Sequence, residues 1–421
     1  MDLTRGLLSI GLVSLAAAGL LALGSRAPEE LRKPVTSPEA EDPSHGASFT
    51  ERQVARAGAY QRGRYLAFAL GVLVEVAALV LLTRGPGRAL AEAVERVSGA
   101  WIVHAALMAL AVTAVLFVAA LPLSFVRGYA HPHAWGLSTQ SLGGWTADSL
   151  RFLAIGSVVA VVSVAAFFSM VRWQPRSWWL WGWAAFTLLT AAVAFLWPVL
   201  VTPLFNRFVP LDDEVLARRV AALAADAGVA VDEVLVADAS KRTTGENAYV
   251  AGLGGTRRLV LYDTLVRAGN DDETAFVVAH ELGHEAESHV LKGIVLSSLG
   301  LLAGFAILRW LSSATGFWAW GGASSPADIR AVPLLLLFAA VASFVTLPVQ
   351  NAVSRRFERR ADQIALRLTA DPATAVAVLR RLALANLSDL RPPAVAVVLL
   401  HSHPPIPARI RAALAGSPPA P

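Results

Sequence analysis

The stretch VVAHELGHEAESHVLKGIVLSSLGLLAGFAIL, residues 277–308, joins two unlike halves. The first carries three of the chain's nine histidines among acidic residues, and the second opens a predominantly apolar run over 293–311. A bilayer span takes about 20 such residues. A polar, helix-compatible segment with metal-ligand spacing therefore runs straight into a candidate membrane span. Any chemistry in the first half sits at a membrane surface.

Six more stretches of this kind lie at 6–24, 65–83, 101–126, 153–171, 178–201 and 331–350. The 421 residues are 55% hydrophobic and 16% charged, whereas a soluble chain carries about 25% charged residues. The expected class is a mainly α, polytopic membrane protein with seven transmembrane helices. The first stretch has a second reading as a signal peptide, since Arg5 precedes the apolar core and small residues follow. Its core is longer than a usual signal core, which favours an anchor. Trp178, Trp179, Trp181 and Trp183 read as an interfacial belt. Glu75 and His104 fall within spans, where ionisable groups are costly unless they face water or a polar partner.

The absence of cysteine excludes disulfides, thiol catalysis and cysteine-ligated metal. The net charge of +5 comes with no nucleic-acid reader motif, so no nucleic-acid partner is expected. The basic excess reads as loop bias instead. Residues 26–64 hold Arg26, Arg32, Lys33, Arg52, Arg56, Arg62 and Arg64. With the N-terminus outside, the positive-inside rule puts that loop, 206–292 and 351–421 together on the cytoplasmic side.

Four regions follow. Residues 1–205 comprise helices one to five with their loops, 206–292 a polar insertion, 293–350 spans six and seven, and 351–421 a C-terminal helical segment. Within the insertion, 212–229 reads as a helix, 231–240 and 257–265 as strands, and 271–292 as one helix capped near Asn270 or Asp271. Residues 351–386 read as one long helix leaving the membrane.

His280 and His284 are four apart and project from one helical face. Two imidazoles so placed reach one zinc ion at about 2.0–2.1 Å. Glu281, beside them, completes H-E-x-x-H, in which the glutamate takes a proton from water acidified by the metal. A chance match on a polar helix is the plain alternative. Gly283 costs about 1 kcal/mol against Ala inside a helix, and signals a close neighbour or room for substrate. His289 falls half a turn from His280 and reads as a capping or interfacial residue, outside the ligand set.

Catalytic zinc takes three protein ligands. NAVSRRFERRADQIALRL (351–368) supplies the best third: Glu358 as ligand, with Asp362 one turn on to accept the free N–H of a ligating histidine. Taken alone, five arginines around two acids make an ordinary salt-bridged helix.

These motifs resemble the type I CAAX prenyl protease family, integral-membrane zinc metallopeptidases of the gluzincin kind. HELGH followed by NAVSRRFERRAD carries the likeness, joined by LPLSFVRGYAHPHAWGLSTQS, WPVLVTPLFNRFVPL (197–211), SKRTTGENAYVAGLGGTRRLVLYDTL and HSHPPIPARI (401–410) in the family's order. The resemblance implies seven helices around a water-filled chamber with a small α+β zinc protease domain. It implies one Zn2+ per chain on His280, His284 and Glu358, with Glu281 as general base and Asp362 orienting a ligand. His403 would stabilise the oxyanion, and Asn247, Ala248 and Tyr249 would offer a strand edge to the substrate backbone. Arg409 matches the C-terminal signature too, with helix termination as its other reading.

The expected function is zinc-dependent peptide hydrolysis at a bacterial plasma membrane, on peptide or protein substrates, with the site on the cytoplasmic side. The bacterial reading rests on the Ala, Arg and Gly content. The alternatives are a shorter quality-control metalloprotease of the HtpX type and a non-catalytic chamber protein or transporter. Seven spans favour the first reading, and the intact His280, Glu281, His284 and Glu358 oppose the last. One departure stands out. Glu285 and Ala286 follow the motif where the family often has an aromatic and a lysine.

Overall fold

The computed structural model describes residues 3–33, 49–97, 99–251, 257–314 and 316–415. Its principal helices are α1 (Leu3–Gly24), α2 (Glu51–Arg84), α3 (Trp101–Phe125), α4 (Leu142–Trp173), α5 (Trp178–Leu196), α6 (Glu214–Ala227), α7 (Asp271–Ala286), α8 (His289–Ser313), α9 (Val332–Thr369), α10 (Pro372–Ala385), α11 (Ala394–Leu400) and α12 (Ile406–Leu414). Four short strands join them: β1 (Phe208–Pro210), β2 (Glu233–Ala237), β3 (Ala248–Ala251) and β4 (Arg258–Tyr262).

Among the described residues, seven helices are long and apolar enough to cross a membrane: α1 to α5, α8 and α9. They match the seven apolar stretches. Local chemistry sets their starts. Thr50 and Gln53 form a reciprocal capping box that begins α2 well before its apolar part, and Ser141 caps α4 through Gly144. The helices differ in what covers them. In α5 none of the most apolar window is buried, and in α8 only 6% is, against 39% in α2. A helix in a packed bundle buries one stripe. α5 and α8 bury little of their most apolar windows and touch each other through Trp183 and Ser298.

The tryptophans at the start of α5 do not form a uniform belt. Trp181 is exposed, but Trp178 is buried edge-on against Phe167 and Phe305, and Trp183 Nε1 donates to Ser298 O at 3.0 Å. The first turns of α5 dock on α4 and α8, and that packing takes precedence over interfacial placement.

Outside the spans lies a second core. It is built by α6, α7, α10, α12, the foot of α9 and the sheet, with Leu216, Leu259, Phe276, Leu282, Leu379 and Ile410 inside it. The sheet order is β1-β2-β4-β3. Strands β2 and β4 run parallel, while β1 and β3 pair antiparallel at the two edges. The residues alone pointed to β2 and β4, the strand edge at Ala248 and Tyr249 came only from the family resemblance, and β1 was missed. β1 and β3 have three and four residues, too short to show a clear period.

Two expected helices are broken. Residues 271–292 divide at Ser288, whose φ of 52° ends α7 and lets α8 leave in a new direction. Residues 351–386 divide at Ala370, also at φ 52°, after which Asp371 caps α10 through Thr374 and Pro372 takes its first position.

Candidate active site

Helix α7 begins at Asn270, whose side chain accepts from the Glu273 amide, and runs against the foot of α9. Gly283 makes the approach possible. A Cβ there would lie 3.1 Å from both Cα and O of Ala361 and 3.2 Å from Ile364 Cβ. Of the two explanations for that glycine, the close neighbour is the one observed. The backbones meet where each helix carries its polar residues.

At this meeting point His280 Nε2 lies 3.2 Å from His284 Nε2 and 3.3 Å from Glu358 Oε2, and His284 Nε2 lies 3.5 Å from Glu358 Oε1. Donors placed 2.0–2.1 Å around a tetrahedral ion stand ~3.3 Å apart. The three spacings fit that figure. Glu358 is buried, and its Oε2 has no aligned hydrogen bond, although imidazole nitrogens of His280 and His403 stand 3.3 and 3.2 Å away. A buried carboxylate oxygen left in this way is costly unless a cation faces it. The donor set fits a small divalent metal.

The surroundings fix the ligand candidates. Asp362 Oδ1 stands 2.9 Å from His280 Nδ1, and Arg409 clamps Asp362 from behind at 2.6 and 2.8 Å. Against the opposing effect of burial, Asp362 and Glu358 raise the pKa of His280 to about 9, so a cation would displace a proton there. Burial, reinforced by His280, lowers His284 to about 4. Burial also pushes the Glu281 carboxyl up to about 7. His403 enters from the segment before α12, its Nδ1 2.9 Å from Ser402 Oγ.

A cavity of about 670 Å3 opens beside these groups, lined by His280, Glu281, His403, Asn247 and Ala248 among others. β3 forms its strand-like wall. Tyr262 N donates to Asn247 O, so Asn247 faces β4 and the amide and carbonyl of Ala248 turn to the open side of the sheet. Tyr249 is not part of the lining, and its ring meets Tyr262 edge-on instead. The loop after α3 holds this wall in place. Thr244 N donates to Leu137 O, and Arg242 pairs with Asp148 and Asn206.

Residues 210–416 match the model of peptidase family M48, and residues 31–207 match that of the CAAX prenyl protease N-terminal region, five membrane helices. An uncharacterized metalloprotease of Bacillus subtilis, YhfN, is 33% identical over 69% of this chain and 68% of its own length. The chain belongs to peptidase family M48. Among other relatives, CAAX prenyl protease 1 of Saccharomyces cerevisiae is 28% identical over 59% of this chain and 58% of its own length. A CAAX prenyl protease 1 homolog of Arabidopsis thaliana is 30% identical over 69% of each chain. The crystal structure of S. mikatae Ste24p shares the fold, with a TM-score of 0.75 at 21% identity over 97% of this chain and 98% of the other. This M48 chain is an integral-membrane metallopeptidase that acts on peptides or proteins.

Several site neighbours escaped the sequence reading. His289 sits at the start of α8, stacked on Phe357, with its Nδ1 3.0 Å from His284 Nδ1. The half-turn offset expected on a continuous helix does not apply across the break at Ser288. Arg409 reaches Asp362 from forty-seven positions on, so helix termination is not its main contact. Glu285, at the position that departs from the family pattern, is buried and paired with Arg257 at 3.0 Å.

Proposed function

We propose that this M48 chain is a zinc metalloendopeptidase. His280, His284 and Glu358 would hold one zinc ion, with Glu281 as general base. The observation that carries the reading is the 3.2–3.5 Å triangle of two imidazoles and one buried carboxylate beside the open cavity. When bound, zinc would polarise the scissile carbonyl and acidify the attacking water. The Glu281 carboxylate takes the water's proton and passes it to the leaving amine. His403 donates from Nε2 to the oxygen on which charge develops. Asp362, itself held by Arg409, stands 2.9 Å from His280 Nδ1, would accept its N–H and would keep Nε2 aimed at the metal position.

The substrate backbone would pair with the outward amide and carbonyl of Ala248, adding a strand to the sheet. Asn247 would contribute at the strand's start and Tyr249 would stiffen it through Tyr262. Arg64 and Arg127 also line the cavity, and neither forms an ion pair with another described residue. Two free guanidinium groups suit a carboxylate. The favoured substrate is therefore a peptide with its C-terminal carboxylate near the scissile bond, as CAAX-type processing would need. Loop charge favours the cytoplasmic face of a bacterial plasma membrane for the site. The seven spans favour this reading over an HtpX-type enzyme, and the complete ligand and base set favours it over a chamber without catalysis.

The deciding experiment measures bound zinc and peptide cleavage together in wild type and Glu281→Gln. The variant should keep its zinc while turnover falls roughly 100- to 10,000-fold. Undiminished cleavage would remove Glu281 from the role of base. Cleavage that is insensitive to chelation would remove the metal.

A further inference from the structure

We propose that the cleft between the first turn of α8 and the emerging part of α9 binds the phosphate headgroup of an anionic phospholipid. The cleft has a volume of about 380 Å3 and lies apart from the cavity beside Glu281. Lys292, Arg356, Arg359 and Arg360 line it, opposed by the single carboxylate of Glu287. Glu287 accepts from Lys292 at 3.0 Å and from Arg360 at 2.8 Å, so its charge is already shared. Arg356 and Arg359 are exposed and pair with no described residue. Positions 356, 359 and 360 fall on one face of α9. Three positive charges in excess therefore converge on one small concavity.

Charge alone would suit any anion, and the helix surface above the cleft narrows the choice. Val345 and Val349 are each 66% exposed on α9, and Leu291 and Val295 are 59% and 53% exposed on α8. Val345, Val349, exposed Ala352 and Arg356 follow one another at helical spacing. An apolar stripe thus leads along α9 into the cationic cleft. From Val349 to Arg356 the helix rises ~10 Å. A phospholipid has this layout, with acyl chains along the stripe and phosphate against the guanidinium groups. Basic pockets between membrane helices recognise such headgroups through the same combination. His289 lines the cleft as well and touches His284, so the headgroup would sit directly behind the candidate metal centre. Headgroup binding in this cleft needs neither zinc nor peptide cleavage.

The test uses the purified full-length protein and measures retention of phosphatidylglycerol against phosphatidylcholine by native mass spectrometry. Wild type, Arg356→Gln/Arg359→Gln, the conservative Arg356→Lys/Arg359→Lys and a distant control, Arg218→Gln, are compared. Wild type and the control should retain phosphatidylglycerol preferentially. Each charge removed should weaken retention about fivefold, and the double glutamine variant roughly thirtyfold. The lysine variant should restore most of it, which separates lost charge from lost fold. Equal retention by wild type and the double glutamine variant would overturn the proposal, as would equal retention of the two lipids. Glycerol 3-phosphate binding as tightly as phosphatidylglycerol would overturn a lipid in favour of a soluble anion.

Discussion

Helices α7 and α8 follow each other in the chain with only Glu287 and Ser288 between them, yet they are held by opposite means. In α7 ten of sixteen residues are buried, and His280 and His284 face the carboxylates of Glu358 and Asp362 on α9. In α8 only His289, Phe305 and Leu308 are buried among twenty-five. Protein contacts therefore hold α7 on most of its surface, which suits a site whose groups must stay within about 0.5 Å of their working positions. α8 is held mainly by its contacts with α5, through Ser298 and Phe305, and most of its surface is apolar and uncovered. The candidate ligands His280 and His284 lie on the closely held helix.

The largest expected effect breaks the α7–α9 side at its centre. Glu358→Ala removes the one donor that α9 contributes, and the purified variant should contain essentially no zinc and show no turnover. Full metal occupancy in Glu358→Ala would put the third ligand elsewhere. Asp362→Asn should be milder at the metal, lowering zinc affinity 10- to 100-fold as the orientation of His280 loosens. It also leaves Arg409 buried opposite a neutral partner, a loss of several kcal/mol when such a pair is broken. Competition with a calibrated chelator reads the first effect and thermal denaturation the second. Unchanged values in both would mean that Asp362 neither orients nor anchors.

The cavity offers a finer division. If Arg64 and Arg127 grip a terminal carboxylate, a peptide acid should have a lower KM than the matching amide by about 10- to 100-fold. Arg64→Gln/Arg127→Gln should erase that preference while leaving kcat for the amide near its original value. A preference that survives in the double variant would show that the carboxylate is not read there.

The same contrast explains what could be read from the sequence. Composition and run length report on lipid, so all seven spans were visible, α5 and α8 included. The H-E-x-x-H spacing is local, and a helix converts it directly into a shared face. Glu358 needed a second segment, and its compartment, its neighbour Asp362 and the family resemblance of NAVSRRFERRAD pointed to it. What escaped was set by tertiary contact. Ser288 takes a positive φ with neither Gly nor Pro nearby to announce a break, so His289 moved from the far side of one helix to the side of His284. Arg409 carries no signal in its own neighbourhood that it holds Asp362. At Ala370 the signal was present, since Asp371-Pro372 is a helix start, but continuing helical periodicity concealed it.

The smallest effect isolates the comparison itself, using one type of residue in both helices. Gly283 in α7 faces the backbone of Ala361 at 3.1 Å, while Gly304 in α8 has nothing within 4 Å of where a Cβ would stand. In both helices an added methyl raises helix propensity, by up to ~1 kcal/mol against glycine in water. In α8 nothing opposes that gain, so Gly304→Ala should leave the melting temperature unchanged or slightly raised. In α7 the methyl meets backbone atoms of a neighbouring helix, which cannot rotate away as a side chain could. Gly283→Val, larger still, should therefore lower stability by about 1–3 kcal/mol. It should also widen the distance between His280 and Glu358, so that zinc affinity falls with the melting temperature. If Gly283→Val were tolerated as well as Gly304→Ala, close backbone contact would not be what holds the ligand set together, and the contrast between the two helices would fail.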